Sequence, residues 1–357
     1  MSVDAVEIVG TASEAHALPI RPLLVLEPVR ELLDRHGIGS GPVRARRVGE
    51  GQSNVTYVIE RHDAQVVLRR GPRPPFPASA HDMAREARIQ IALREQGFPV
   101  PHVLVVCEDD AVIGTPFYVM EFLDGTVITD RAPAPFDTLP ARRRLSEELI
   151  DALVRLHAVD ISRDPVRDLG RPDGYLERQV RRFASLWPLN TTREIREVEV
   201  VSDWLERNLP PSQSASVVHG DYRMGNLMFA ADPVRALAVL DWEMATLGDP
   251  LADLGYLTAL YAEPGSEPTV MELTPLTREQ GFLTRDGLIE RYVAQTGLDA
   301  GGLAWYQCLA LWKSAVFCEA IYTRWLRGER PDDRSFGPQL ELGVPVLLDQ
   351  AMDIAGI

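Results

Sequence analysis

The chain has 357 residues, 45% hydrophobic and 25% charged, with a formal net charge of -15. That is ordinary globular composition, long enough for one large or two medium domains. A surface this acidic repels phosphate backbones, which argues against a nucleic-acid partner.

Thirty-seven basic residues include a single lysine, Lys313. The cysteines Cys107, Cys308 and Cys318 form no CxxC or Cys/His cluster, so reduced, mostly buried thiols in a cytoplasmic protein are expected. The segment MSVDAVEIVG lacks the basic start of a signal peptide, and no apolar run approaches the ~20 residues of a membrane span.

In chain order, residues 1–20 read as a flexible arm. Pro28 to Gly37 has the spacing of a short amphipathic helix. Val43–Val48, Val55–Glu60 and Gln65–Arg70 alternate and are rich in β-branched residues, which predicts antiparallel strands. Gly49 to Asn54 is the turn between the first two, and the proline-rich Gly71 to Ala80 is a loop. Asp82 to Gln96 predicts a helix stopped at Gly97, followed by strands at Val103–Cys107 and Phe117–Phe122. Helical patterns then take over at Arg142–Val159, Leu176–Leu186, Ile195–Leu209 and from Gly287 onward, with a strand-turn region at Val217–Asp241. The expected class is α+β: a small antiparallel-sheet lobe (21–123), a one-strand connection, and a larger mainly helical lobe (124–357).

The most informative stretch runs from Val217 to Tyr256, VVHGDYRMGNLMF followed by LAVLDWEMATLGDPLADLGY. Phosphoryl transfer needs one carboxylate to accept or orient the acceptor's hydroxyl proton. It also needs an amide and a second carboxylate to hold Mg²⁺ on phosphate oxygens. Asp221, Asn226 five positions later, and Asp241 after an apolar strand supply that set. Each alone could be an ordinary turn residue; the combined pattern with GDPxxD is far more specific.

These motifs resemble the aminoglycoside phosphotransferase and choline kinase group of kinase-like enzymes, most nearly the branch associated with acyl-CoA dehydrogenases. The likeness covers roughly residues 43 to 330 and implies a bilobal protein-kinase-like fold using ATP and Mg²⁺. It makes Asp221 the catalytic base, Asn226 and Asp241 metal ligands, and His219 a brace for the loop. Glu243, in place of the glycine of a DFG triplet, is a further metal candidate. Asp249 and Asp253 read as loop braces or, by preference, helix caps, and His157 in RLHAVD as structural.

The resemblance gives the nucleotide to the first lobe. Gly49, Gly51, Ser53 and Asn54 lie in a turn whose small residues let backbone amides approach phosphates; a plain hairpin turn is the competing reading. The kinase strand lysine is replaced by Arg69, which can hold phosphate in bidentate fashion. Arg70 is the alternative, though it points to the other face, and Glu86 is the expected ionic partner, against a solvated helix face. Val67 shares the face of Arg69 and would lie against adenine, with Met120 behind it. The Glu121 carbonyl and Leu123 amide would hydrogen-bond the base.

About a dozen residues separate Asp241 from Asp253, too few for a peptide-seating activation segment, so the expected acceptor is a small hydroxylated molecule. The aromatic run in Leu303–Leu326 reads as core or as the lining of an apolar site. The acyl-CoA dehydrogenase link implies a hydroxyacyl-CoA or related metabolite; an aminoglycoside-type antibiotic kinase is the alternative. A nucleotide-binding pseudokinase would normally have lost Asp221, Asn226 or Asp241. An acyl-CoA dehydrogenase proper fits least, its ends being helical.

Overall fold

The computed structural model describes residues 6–49, 54–73, 81–330 and 333–357. The start of the chain is more regular than a loose arm. Ile8–Val9 (β1) pairs in parallel with Leu24–Val25 (β2), and Ala12–His16 (α1) lies between them. Thr11 and Glu14 cap α1 reciprocally: Thr11 Oγ1 accepts the Glu14 amide at 3.2 Å and Glu14 Oε2 accepts the Thr11 amide at 3.0 Å.

Leu26–Arg35 (α2) precedes a five-stranded antiparallel sheet made by Arg44–Val48 (β3), Val55–Glu60 (β4) and Gln65–Arg70 (β5), then, after Met83–Glu95 (α3), by Val103–Cys107 (β6) and, after Asp110–Ile113 (α4), Phe117–Glu121 (β7). The strand order is β3-β4-β5-β7-β6. Alternation divides the side chains between two faces. Tyr57, Ile59, Val66, Leu68 and Val119 pack with Val29, Leu32 and Leu33 of α2 and Ile113 of α4. Val58, Val67, Tyr118 and Met120 pack with Met83 and Ala87 of α3. The sheet is thus covered on both sides, and a polar group on either inner face is withdrawn from water.

Two compact units result: Met1–Asp124 with Asp241–Glu243, and Gly125–Leu240 with Met244–Ile357. Asp241–Glu243, which fall in sequence among residues of the second unit, belong to the first. Trp242 is fully buried there, edge-on to Phe98 with ring centroids 5.8 Å apart.

The second unit opens with Thr126–Val127 (β8), Leu139–His157 (α5), Tyr175–Asn190 (α6) and Glu197–Arg207 (α7). Ser216–Val218 (β9), Leu227–Ala231 (β10), Val234–Val239 (β11) and Thr246–Gly248 (β12) form two small sheets, ordered β11-β10-β8 and β12-β9. Leu251–Leu260 (α8), Arg285–Thr296 (α9), Leu303–Leu326 (α10) and Phe336–Ala355 (α11) complete it.

The aromatic stripe of α10 is mostly core. Trp305, Tyr306, Trp312 and Tyr322 are buried, and the two indoles donate to the Leu205 carbonyl at 3.1 Å and the Val198 carbonyl at 3.0 Å on α7. An indole N–H inside a core requires such an acceptor. Phe317 departs from the stripe at 58% exposure. Among the described residues, no helix is long and apolar enough to cross a membrane.

Candidate active site

In the first unit, period-2 alternation on β5 turns Arg69 toward α3 and Arg70 away. The Arg69 Nε lies 2.9 Å from Glu86 Oε1, and its Nη2 donates to Asp241 Oδ1 at 2.5 Å. Glu86, 1% exposed, also accepts from the Tyr118 hydroxyl at 3.0 Å, and Tyr118 accepts from Gln90 at 2.8 Å. The Trp242 amide donates to the same carboxylate. Glu86 is therefore no solvated helix residue.

Burial raises the Glu86 carboxyl, with the Arg69 guanidinium opposing that rise. Burial also works against the charge of Arg69, but Glu86 and Asp241 outweigh it and hold the guanidinium firmly protonated. Arg70 is buried on the other face, where its Nε donates to the Gly71 carbonyl at 2.8 Å and its Nη1 to that of Leu23.

Asp241 adopts a left-handed φ of +66°, which aspartate tolerates better than most side chains. Its side chain keeps 31% exposure. Glu243 Oε2 accepts from Asn54 Nδ2 at 3.0 Å, and Asn54 Oδ1 lies 2.8 Å from His81 Nδ1. Gly49 ends β3 with a φ of +75°; Gly51 and Ser53 lie outside the described residues. Val67 and Met120 are directly paired across β5 and β7, in the apolar layer under α3. The ladder ends where Glu121 pairs with Val66, so Leu123 lies beyond it. The Glu121 carboxylate accepts the His102 amide at 2.7 Å.

In the second unit, β9 and β10 frame the loop His219–Asn226. Gly220 has a φ of +85°, and a Cβ there would sit 2.9 Å from the Met244 carbonyl oxygen, so glycine is required. His219 Nε2 donates to the Leu240 carbonyl at 2.9 Å, and its Nδ1 accepts the Asp221 amide at 3.2 Å. These partners select the neutral Nε2–H tautomer. Asn226 Nδ2 donates to both the carbonyl and Oδ2 of Asp221, each at 2.8 Å. The five-residue spacing is what closes this ring.

Two contributors to the loop were not singled out in the sequence, and Asp253 takes the brace role that was the less favoured of its two readings. Asp253 does not cap α8; it braces the loop. Its Oδ2 accepts the His219 amide at 2.7 Å and its Oδ1 the Gly220 amide at 2.8 Å, with His157 Nε2 3.3 Å away. Burial opposes its charge, but the hydrogen bond from His157 and the Gly220 amide outweigh that and hold its pKa below the ordinary carboxylate value. His157 is in turn fixed by the Tyr292 hydroxyl at 2.6 Å. Asp249 does meet a helix start, accepting the Leu251 amide at 2.9 Å, and its other oxygen accepts from Tyr306 at 2.8 Å. The remaining two contributors touch Asp221 itself: the Tyr256 hydroxyl donates to its Oδ1 at 2.6 Å, and Arg223 Nε lies 3.5 Å from the same oxygen.

Among the described residues, no group of three or more His, Cys, Asp and Glu side chains gathers to hold a metal. Mg²⁺ on a nucleotide does not need one: one or two protein oxygens, phosphates and water suffice. Asn226 fits, since its Nδ2 is committed to Asp221, leaving the amide oxygen as its ligating atom. Asp241 fits as a hard, partly exposed carboxylate.

The sheet-and-helix first unit, the helical second unit and the His219–Asn226 loop define a kinase-type phosphotransferase. Residues 44–297 match the model of the phosphotransferase enzyme family, and the chain belongs to that family. It is 35% identical over 309 residues to mouse acyl-CoA dehydrogenase family member 10, covering 84% of this chain but 28% of that protein. Among solved structures, a Ralstonia eutropha protein provisionally described as an aminoglycoside phosphotransferase superposes with a TM-score of 0.77 at 28% identity, over 92% of this chain and 98% of that one. A spectinomycin phosphotransferase in complex with ADP and spectinomycin shares the fold at a TM-score of 0.59 and 12% identity, over 95% of this chain and 100% of that one. The fold is kinase-like, as the motifs implied.

Proposed function

We propose that this phosphotransferase moves the γ-phosphate of ATP to the hydroxyl of a small molecule, with Asp221 as the group that orients the hydroxyl and takes its proton. The observation that carries this reading is the closed ring Asp221–Asn226 in a loop anchored at both backbone ends, because phosphoryl transfer is mostly positioning and charge stabilisation. Asn226 and Asp241 would hold Mg²⁺, which when bound supplies neutralisation of phosphate charge. Arg69, kept charged by Glu86 and Asp241, would stand for the usual lysine at the phosphates. The ADP in the spectinomycin enzyme supports a nucleotide for this fold.

For the acceptor we favour a hydroxyacyl-CoA or related metabolite, on the likeness to the acyl-CoA dehydrogenase family member. An aminoglycoside acceptor is the second reading, favoured by the description of the Ralstonia protein. ADP release from Mg²⁺-ATP, measured against hydroxyacyl-CoAs, aminoglycosides, choline and sugars, separates them. Turnover with hydroxyacyl-CoAs alone is expected. Turnover with aminoglycosides alone would replace the favoured acceptor, and absence of ATP binding would remove the kinase reading.

A further inference from the structure

Helix α8 carries two side chains that reach the same loop. Asp253 and Tyr256 are three residues apart and so lie on one helix face. Asp253 holds the backbone amides of His219 and Gly220. Tyr256 holds the side chain of the next residue, its hydroxyl 2.6 Å from Asp221 Oδ1. Gly255 lets α8 come this near to α10, since a Cβ there would stand 2.5 Å from Cβ of Tyr306. The spacing Asp-x-x-Tyr therefore acts as a ruler against the loop.

A carboxylate held through one oxygen can still rotate about its Cβ–Cγ bond. Asp221 is held through both, by Asn226 Nδ2 on Oδ2 at 2.8 Å and by Tyr256 on Oδ1 at 2.6 Å. Two donors on different oxygens fix the plane of the group. They occupy about two of its roughly four lone-pair sites, so acceptor capacity remains for an incoming hydroxyl. The bond length is that of a charge-assisted O–H···O⁻ contact. Burial, then the neighbouring Asp221 charge, pushes the phenol well above its ordinary pKa, so it stays the donor. The 3.5 Å approach of Arg223 Nε adds charge but no hydrogen bond.

Tyr256 and Arg223 also line a small cavity of about 20 Å³ with Leu257, Leu260, Met271 and Leu273. That volume suits about one water.

We infer that Tyr256 is a positioning residue for phosphoryl transfer: with Asn226 it locks the plane of the Asp221 carboxylate so that a free lone pair faces the acceptor hydroxyl. This rests on the reading of Asp221 as the base. It goes beyond that reading by assigning the orientation of the base to a residue in α8, outside the loop motif.

The test is Tyr256→Phe, which keeps the ring and removes the hydroxyl. The expected result is a fall in kcat of about 10- to 100-fold, the scale for a misoriented catalytic group, with KM and Kd for ATP unchanged. In crystals of the variant the Asp221 carboxylate should turn away from its wild-type plane. In an Asp221→Asn background, adding Tyr256→Phe should cost nothing further. A carboxylate that keeps its wild-type plane would overturn the proposal whatever the rates. So would an undiminished kcat, or a loss of equal size in the Asp221→Asn background. A wild-type protein that binds no ATP would instead remove the kinase reading, and the crystallographic comparison would still decide what Tyr256 does to Asp221.

Discussion

Arg69 in the first unit is placed by a strand, whereas Asp221 in the second is placed by a loop, and the two are secured differently. Strand β5 is fixed by pairing on both sides, with Arg69 opposite Thr56 on β4 and Tyr118 on β7. Two ionic partners, Glu86 and Asp241, then aim it. The loop after β9 has no ladder of its own and is tied by polar side chains from elsewhere: Asp253, His157 and Tyr256 outside it, with His219 and Asn226 within. Regular backbone leaves little to specify; irregular backbone must have each amide answered individually.

The contrast breaks most visibly at Asp221. Asp221→Asn should lower phosphoryl transfer by about 10² to 10⁴ while calorimetry finds ATP binding unchanged; full turnover in the variant would show that the loop does not carry the base.

Asp253→Asn comes next, presenting an amide to two N–H groups at the foot of the loop. A loss of about 3–5 kcal/mol is expected in urea unfolding at pH 7. The sign follows from the depressed native pKa of Asp253: its stabilisation is complete above the ordinary value of 3.8 and is lost as pH falls through the native value. The gap between wild type and variant should therefore close only in acid, below about pH 4. A gap that instead closed on the alkaline side would contradict this assignment.

Arg69→Met should cost less, about 2–3 kcal/mol, because the sheet stays intact and Glu86 can take up a proton. A buried carboxyl without its guanidinium binds a proton more readily folded than unfolded, so this deficit should narrow as pH falls. A deficit that widened in acid would mean that Glu86 does not depend on Arg69. Glu121→Ala is the smallest, about 1 kcal/mol from the lost bonds to the His102 amide and to the half-exposed Arg94. Its nucleotide affinity should match wild type in calorimetry, since the role expected of Glu121 at adenine belongs to its carbonyl.

The same contrast explains what could be read in the sequence. Strand alternation put Val67 and Arg69 on one face and Arg70 on the other, which follows from a local period, while Glu86 was named as partner on the family resemblance. Asp221 and Asn226 were legible because their bonds close within the loop. Asp253 was not, since an Asp at the start of a helix favours a capping reading, and only the tertiary contact with residues 219 and 220 decides otherwise. Tyr256 sits in LADLGYLTAL, an apolar run in which an aromatic reads as core. The strand Ile8–Val9 escaped because two residues carry no periodicity, although Thr11 and Glu14 offered a capping-box signal for α1.

The three residues Asp241–Glu243 bear on how this chain can be cut and recombined. They lie in sequence between β11 and β12 of the second unit, yet Trp242 fills the first unit against Phe98, and its amide reaches Glu86. A gene fragment ending at Asp124 would therefore encode a first unit with an unfilled indole site and one fewer donor on its buried glutamate. The two units are not exchangeable modules: a segment that carries the second unit also carries Asp241–Glu243 away from the first.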